Sequence, residues 1–222
     1  MFRRQVAIAA VVAPLLPCAS CADDGTSLRI ECSTAVLDVD GVCLVQGGLD
    51  ACLGRGIVNV TVARDYELSL VLSSGLYPRV SDSPVMTEPN NLNVESADIE
   101  IQDASGVAIP FGALPNPFNR PTSGRVPVGG MGTVAMDAIP RDYMQVIFDQ
   151  DYTATYGTLI IDAKLLGVTD GDQAVESRHW KWPIELVDTP IGPQNCRTSE
   201  DDTAYSCNPG QDLDVVPYCA EI

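Results

Sequence analysis

Apolar and polar residues alternate along much of the chain with a period of two, the spacing that turns one face of a β-strand to a core and the other to water. Val58, Val60 and Val62 alternate with Asn59 and Thr61, and Tyr66, Leu68, Leu70 and Leu72 share a face. Ala97, Ile99 and Ile101 oppose Asp98, Glu100 and Gln102, and Leu159, Ile161, Ala163 and Leu165 form a fourth set. The clearest set is Trp180, Trp182, Ile184 and Leu186 against His179, Lys181, Pro183 and Glu185. Strands that are apolar on one side only belong to antiparallel sheets, because parallel strands are covered on both faces. Turn residues fall where these strands should end, at Asp40-Gly41, Ser74-Gly75, Ser105-Gly106 and Asp170-Gly171-Asp172. About eight to ten strands are expected on this spacing. Only Pro140–Phe148 shows helical spacing, at Tyr143, Val146 and Ile147 behind a proline suited to a first turn. The stretch Pro110–Val128 carries Pro115, Pro117, Pro121 and Pro127 and no alternation, which predicts a long exposed loop of extended character, a surface connection or a partner-binding loop.

Short strands at this spacing loosely resemble immunoglobulin-like and fibronectin-type modules, a likeness of architecture alone. It implies an all-β, antiparallel β-sandwich, disulfide-stabilised, with one short helix at most. The Cys, Trp, Cys order of immunoglobulin domains is absent, since every pairable cysteine lies away from the Trp180 strand. With no repeat and no low-complexity linker, residues 28–222 read as a single domain with a cysteine-rich tail from about Asp188.

Residues 1–20 have the three zones of a secretory signal: Arg3 and Arg4, an apolar run from Val6 to Leu16, and the small-residue stretch Pro17-Cys18-Ala19-Ser20. The apolar run falls well short of the ~20 residues needed to span a bilayer. Cys18-Ala19-Ser20-Cys21 resembles the lipobox of bacterial lipoproteins in three of four positions, with Cys18 standing where leucine is usual. The resemblance implies a diacylglyceryl thioether on Cys21, a tether over residues 21–27, and, with Ala22 in place of Asp, sorting to the outer membrane. Ser20 and Ala22 also fit an ordinary signal-peptidase cut after Ala22, which would release a secreted protein.

Cysteine and charge then narrow the picture. Cys18 is lost with the signal and Cys21 is lipidated or also lost, leaving Cys32, Cys43, Cys52, Cys196, Cys207 and Cys219. An even count in an exported protein predicts disulfides, and three sit near each end with none from Gly54 to Asn195. If all six pair within the chain, parity forces at least one bridge between the two trios. There is no C-x-x-C pair to suggest zinc. The sequence carries 30 acidic residues against 13 basic, a formal charge of -17, which excludes a phosphate-backbone partner and leaves no nucleic-acid reading.

Candidate chemistry is sparse. Catalysis of the Ser-His-Asp or Cys-His type needs an imidazole, and the one histidine, His179, lies on the polar face of a strand beside Lys181 and Glu185, where it should face solvent. Gly129-Gly130-Met131-Gly132 lacks the lysine of a phosphate loop and reads as a turn before a strand. Asp38-Val39-Asp40-Gly41, Asp149-Gln150-Asp151, Asp170-Gly171-Asp172 and Glu200-Asp201-Asp202 offer the hard oxygens calcium takes, yet none matches a calcium-loop pattern, so solvated acidic turns are the simpler reading. Trp180 and Trp182 on one strand face read as a core pair, with a sugar-stacking platform as the alternative. No catalytic residue, metal ligand or cofactor is assigned. The expectation is a non-enzymatic, lipid-anchored envelope protein acting as a binding or structural module, whose partners are the membrane through its lipid and an envelope protein or glycan. A carbohydrate-binding or calcium-dependent adhesive domain is the alternative, and a hydrolase using carboxylates alone is a third.

Overall fold

The computed structural model describes residues 27–39, 42–45, 47–76, 90–188, 207–208 and 211–212. The signal segment, the lipobox with Cys21, Cys196, Cys219 and Glu200-Asp201-Asp202 lie outside them. The protein is all-β. Its strands in chain order are β1 (Leu28–Thr34), β2 (Val36–Val39), β3 (Val42–Val45), β4 (Gly56–Asn59), β5 (Tyr66–Ser74), β6 (Leu92–Asp103), β7 (Phe118–Val126), β8 (Met131–Ile139), β9 (Thr158–Thr169), β10 (Ala174–Glu176) and β11 (Trp180–Val187). A curled sheet runs β1-β5-β8-β7-β6-β9-β11-β4, with β10 beside β9, while β2 and β3 pair separately on either side of Asp40-Gly41.

Alternation made these strands and also curls the sheet round one core. Tyr66, Leu68, Leu70 and Leu72 from one half and Ile99, Ile101, Leu159, Ile161, Leu165 and Trp182 from the other are all buried in the same cluster. The halves touch where Trp182 Nε1 donates to Tyr66 Oη at 3.3 Å, linking β11 to β5. An immunoglobulin-like sandwich keeps two separate sheets; here β7 hydrogen-bonds with β6 along its length and meets β8 at Ser123↔Ala135, so the two facing halves are continuous. Strand pairing is antiparallel except between β11 and β4, which run parallel.

Three expectations need correcting. The stretch Pro110–Val128 is a loop only as far as Pro117, because residues 118–126 form β7. Its inward positions, Phe118, Arg120, Thr122, Gly124 and Val126, are mostly polar or small, so the period of two was present without an apolar signal. Pro121 fits into the strand because its partner Ser96 lies at a register shift in β6, where a missing N–H breaks no regular ladder bond. The strand expected through Val62 stops at Asn59: the Asn59 side chain accepts from the N–H and the hydroxyl of Thr61, and its carbonyl accepts from Val62 and Ala63. Finally, the described residues hold two α-helices, α1 (Arg141–Asp149), which matches the expected segment, and the single turn α2 (Tyr152–Thr155). Asp151 makes the second, accepting from Ala154 N at 3.3 Å as an N-cap. Tyr143 and Tyr152 from the two helices pack on Phe111 at 5.0 and 5.7 Å and close one end of the core.

Two disulfides close the remaining gap. Cys32–Cys52 ties the edge strand β1 to the segment entering β4, beside a hydrogen bond from Leu53 N to Ser33 O, and so joins the two edges of the curled sheet. Cys43–Cys207 is the bridge between the two cysteine trios that parity required. Past Cys207 the chain returns to the sheet, where Asp212 accepts from Ile57 N at 3.0 Å and from Tyr66 Oη at 3.0 Å. Gln211 accepts from Glu67 N and donates to Asp65 O, filling the gap between β4 and β5.

This clasp settles over acids and gives the fold a pH dependence. Burial, then the neighbouring Asp65 and Asp137, raise the Glu67 carboxyl above its ordinary range, and burial raises Asp137 likewise. A raised native pKa means the folded state holds the proton more tightly, so this contribution is complete below the unfolded pKa of ~4.3 and is lost as pH rises through the native value. Glu67→Gln should therefore raise the urea midpoint at pH 7, with the gain shrinking as the pH is brought down to about 4. An unchanged difference across that range would show that the substitution acts by something other than charge.

Candidate functional site

The outer face of β6, β9 and β11 holds a cluster of polar and charged side chains, and strand register assembles it. Glu100 pairs with Asp162 across the β6–β9 ladder, and Asp162 pairs with Lys181 across β9–β11, so three charged side chains stand in a row. His179 sits two residues before Lys181, on the same face. Its Nδ1 lies 2.8 Å from Asp162 Oδ1, and Lys181 Nζ lies 3.6 Å from Asp162 Oδ2. Gln102 ties the row together, accepting from Lys181 Nζ at 3.1 Å and donating to Glu100 Oε2 and, at 3.5 Å, to Asp162 Oδ2.

Burial is unequal across this pair. The Asp162 side chain is 10% exposed and that of His179 69%. A largely buried carboxylate needs donors on every side, and here it has an imidazole, an ammonium and an amide. With Nδ1 directed at Asp162, Nε2 is left to face outward. His179 was expected at the surface and is there; the carboxylate holding it was not foreseen. The signal was an aspartate inside the apolar run Leu159-Ile160-Ile161-Asp162-Ala163, where a charge on the outer face calls for partners from neighbouring strands.

Two cavities meet at His179. One, of about 530 Å³, is lined by Asp98, Glu100, Phe118, Asn119, Asp162 and Lys164. The other, of about 430 Å³, lies between Leu28–Glu31 of β1 and Arg178-His179-Trp180. Both fall within the roughly 300–1,000 Å³ of small-ligand sites. The first has acids on β6, a lysine on β9 and the half-buried Phe118 ring; Asn119 Nδ2 donates to Asp98 Oδ1 at 2.8 Å, and Lys164 pairs with Glu176 at 2.7 Å. Such a wall offers donors, acceptors and an apolar surface, the requirements for holding a polyhydroxylated ligand. Among the described residues, none of those lining either cavity is a serine, threonine or cysteine.

The other sequence candidates serve the scaffold. Trp182 is 4% exposed and belongs to the core, whereas Trp180 is half-buried and reaches a cavity wall, so the expected core pair divides between two roles. Asp170 accepts from Asn91 Nδ2 at 2.8 Å, Asn93 Nδ2 at 2.9 Å and Arg125 at 3.0 Å, latching β6, β7 and β9. The Asn93 bond, followed by Asn91 and Arg125, holds its carboxyl below the ordinary range. Asp149 accepts from Gln145, and Asp151 caps α2. Gly129 adopts a positive φ of 62° in the turn ahead of β8. Among the described residues no group of three or more His, Cys, Asp or Glu side chains is placed to hold a metal ion, and no helix is long and apolar enough to cross a membrane.

A comparison with known protein families, curated proteins and solved structures found no match to this chain. The disulfides themselves bear on location, since Cys32–Cys52 and Cys43–Cys207 belong to an oxidising, non-cytoplasmic compartment.

Proposed function

We infer that this chain is a non-enzymatic, lipid-anchored envelope protein that works as a binding module, held to the outer membrane through Cys21 and engaging its ligand through the His179 face. The observation that carries this reading is the meeting of two ligand-sized cavities at one exposed histidine, itself fixed by a buried carboxylate. A disulfide-clasped sheet suits that role, because a rigid scaffold keeps binding groups in register without ordering costs on association. Anchoring rests on the export signal and lipobox-like residues up to Cys21, and a net charge of -17 favours a module standing off an anionic surface on its lipid.

A second reading, glycan recognition, is favoured by Trp180: an indole at a cavity wall provides the flat apolar surface on which sugar rings stack. Two measurements test the proposal. Metabolic labelling with a palmitate analogue should mark the full chain and leave Cys21→Ala unmarked; an unmarked wild-type protein beginning at Asp23 would replace the anchor with secretion. A glycan array probed with the full chain should show binding that Lys164→Glu or His179→Ala weakens, and array binding indifferent to both would move the site away from this face.

A further inference from the structure

The seam of the curled sheet leaves main-chain groups unpaired on two facing lips, and their pattern names a class of partner; this step rests on the binding-module reading above. β1 ends the sheet and pairs with β5, and on its other side only its far end is met, where Leu53 N donates to Ser33 O and Thr34 bridges Cys52. Across the seam, β4 covers β11 from Ile184 onward. Ahead of Ile184 no strand lies beside that edge among the described residues, and the cavity of about 430 Å³ separates Leu28–Glu31 from Arg178–Trp180.

Strand register tells which groups point across the seam. In an antiparallel ladder, residues bonded to one neighbour alternate with residues whose N–H and C=O point the opposite way. Gly75 N donates to Ser27 O, so Arg29, opposite Ser73, is bonded to β5, while Leu28 and Ile30 turn their main-chain groups outward. Both line the cavity, Leu28 fully buried and Ile30 half-buried. On β11, Leu186 N donates to Gly157 O, which bonds Trp180 and Trp182 to β9 and turns Lys181 toward the open edge. Among the described residues the outward main-chain groups of Leu28, Ile30 and Lys181 meet no partner. A main-chain group kept from water without a partner is costly, and Leu28 carries two on a cavity wall. Side chains follow the same alternation: Leu28, Ile30 and Trp180 give the cavity apolar surface, while Arg29 and Glu31 are exposed.

Two lips that each need a donor and an acceptor at every second residue are matched by an extended backbone free on both edges. The edge strand of a second folded copy is already bonded on its inner side, so it serves one lip only, and it brings a second charge of -17 against the first. We propose that the seam takes up an extended segment of a partner polypeptide by strand addition, its apolar residues at alternate positions turned inward beside Trp180 and its polar residues outward.

An array of nonapeptides alternating Val, Ile or Phe with Thr, Ser or Lys, incubated with the full chain, supplies the ligand, and its strongest binder is added to the isotope-labelled full chain. Hydrogen exchange at the Ile30 and Lys181 amides should be fast in the free protein and slow at least about tenfold on binding, while the Arg29 amide, already bonded to β5, changes little. The same peptide N-methylated at alternate residues, and so without donors on one edge, should bind at least about tenfold more weakly, and this arm leaves the protein unchanged. Ile30→Pro removes an outward N–H and no β1–β5 bond, so it should weaken the peptide several-fold while the ladder stays in place. Ile30 and Lys181 amides already protected in the free chain would show the seam filled and overturn the proposal. Undiminished binding of the N-methylated peptide, a dimer that protects the two amides, or an array without a binder would overturn it as well. If glycan binding survives where no peptide binds, strand addition fails alone; if neither array binds, the binding-module reading falls with it.

Discussion

Replacing Cys43 and Cys207 together by alanine is expected to lower the melting temperature by about 10 °C or more, further than any exposed substitution in the protein. The bridge spans 164 residues of sequence. Freeing a loop of that length in the unfolded chain favours unfolding by about 5 kcal/mol in the chain-entropy description, against about 3 kcal/mol for the 20-residue separation of Cys32–Cys52. A domain of this size loses ~2–4 °C per kcal/mol. The native state is affected as well, since Cys207 brings Gln211 and Asp212 to the β4–β5 gap and four of their hydrogen bonds depend on that placement. Calorimetry of the two double variants separates the bridges. If the Cys43/Cys207 variant melts no lower than the Cys32/Cys52 variant, the long bridge is not what fixes the C-terminal segment, and the closure of the sheet must lie with β1 and its disulfide.

That some bridge joins the two trios was legible in the sequence, because parity is arithmetic and needs no geometry; that Cys43 and Cys207 form it was not. Strands of the β5, β6, β9 and β11 kind were equally open to reading, as their inward positions are large and apolar. What escaped was decided by contacts distant in sequence. β7 alternates Phe118, Arg120, Thr122 and Gly124 inward, and nothing in those residues marks a strand until β6 is beside them. Gly167 is another such position. A Cβ there would lie 2.2 Å from the Asn93 carbonyl oxygen, so the residue is fixed by the close approach of β6, a neighbour that a single strand's pattern does not reveal.

The site follows the same division. His179 could be picked out as the sole imidazole, and its exposure could be read from alternation, but the partners that give it a fixed orientation come from register. Asp162 reaches it because β9 and β11 pair Asp162 with Lys181, and Glu100 joins because β6 pairs with β9 in the matching row. Arg29 and Arg178 lie far apart in the sequence, and they line one cavity because the sheet curls until its edges approach. A sequence pattern gives the face of each strand; which faces become neighbours is fixed by pairing order and by the disulfides.

Trp182→Ala should destabilise the protein by about 3–5 kcal/mol, the cost of removing a large buried aromatic, while Trp180→Ala should cost far less. The two indoles are stacked neighbours on one strand face, yet their surroundings differ. Trp182 is 4% exposed, its Nε1 donates to Tyr66 Oη, and Tyr66 in turn donates to Asp212. Burial raises the Tyr66 phenol well above its ordinary range, with the charge of Asp212 next in effect, so the ring stays a neutral donor in that chain of bonds. Losing Trp182 leaves a cavity at the contact between the two halves of the sheet and takes a donor from Tyr66 Oη. Losing Trp180 strips one wall of a solvent-open cavity and leaves the core cluster in place. Urea titration of both variants, with emission spectra of each, checks the assignment. Blue-shifted emission should survive in Trp180→Ala, where only Trp182 reports. Equal destabilisation by both substitutions would return Trp180 to the core and take the stacking surface away from the cavity wall.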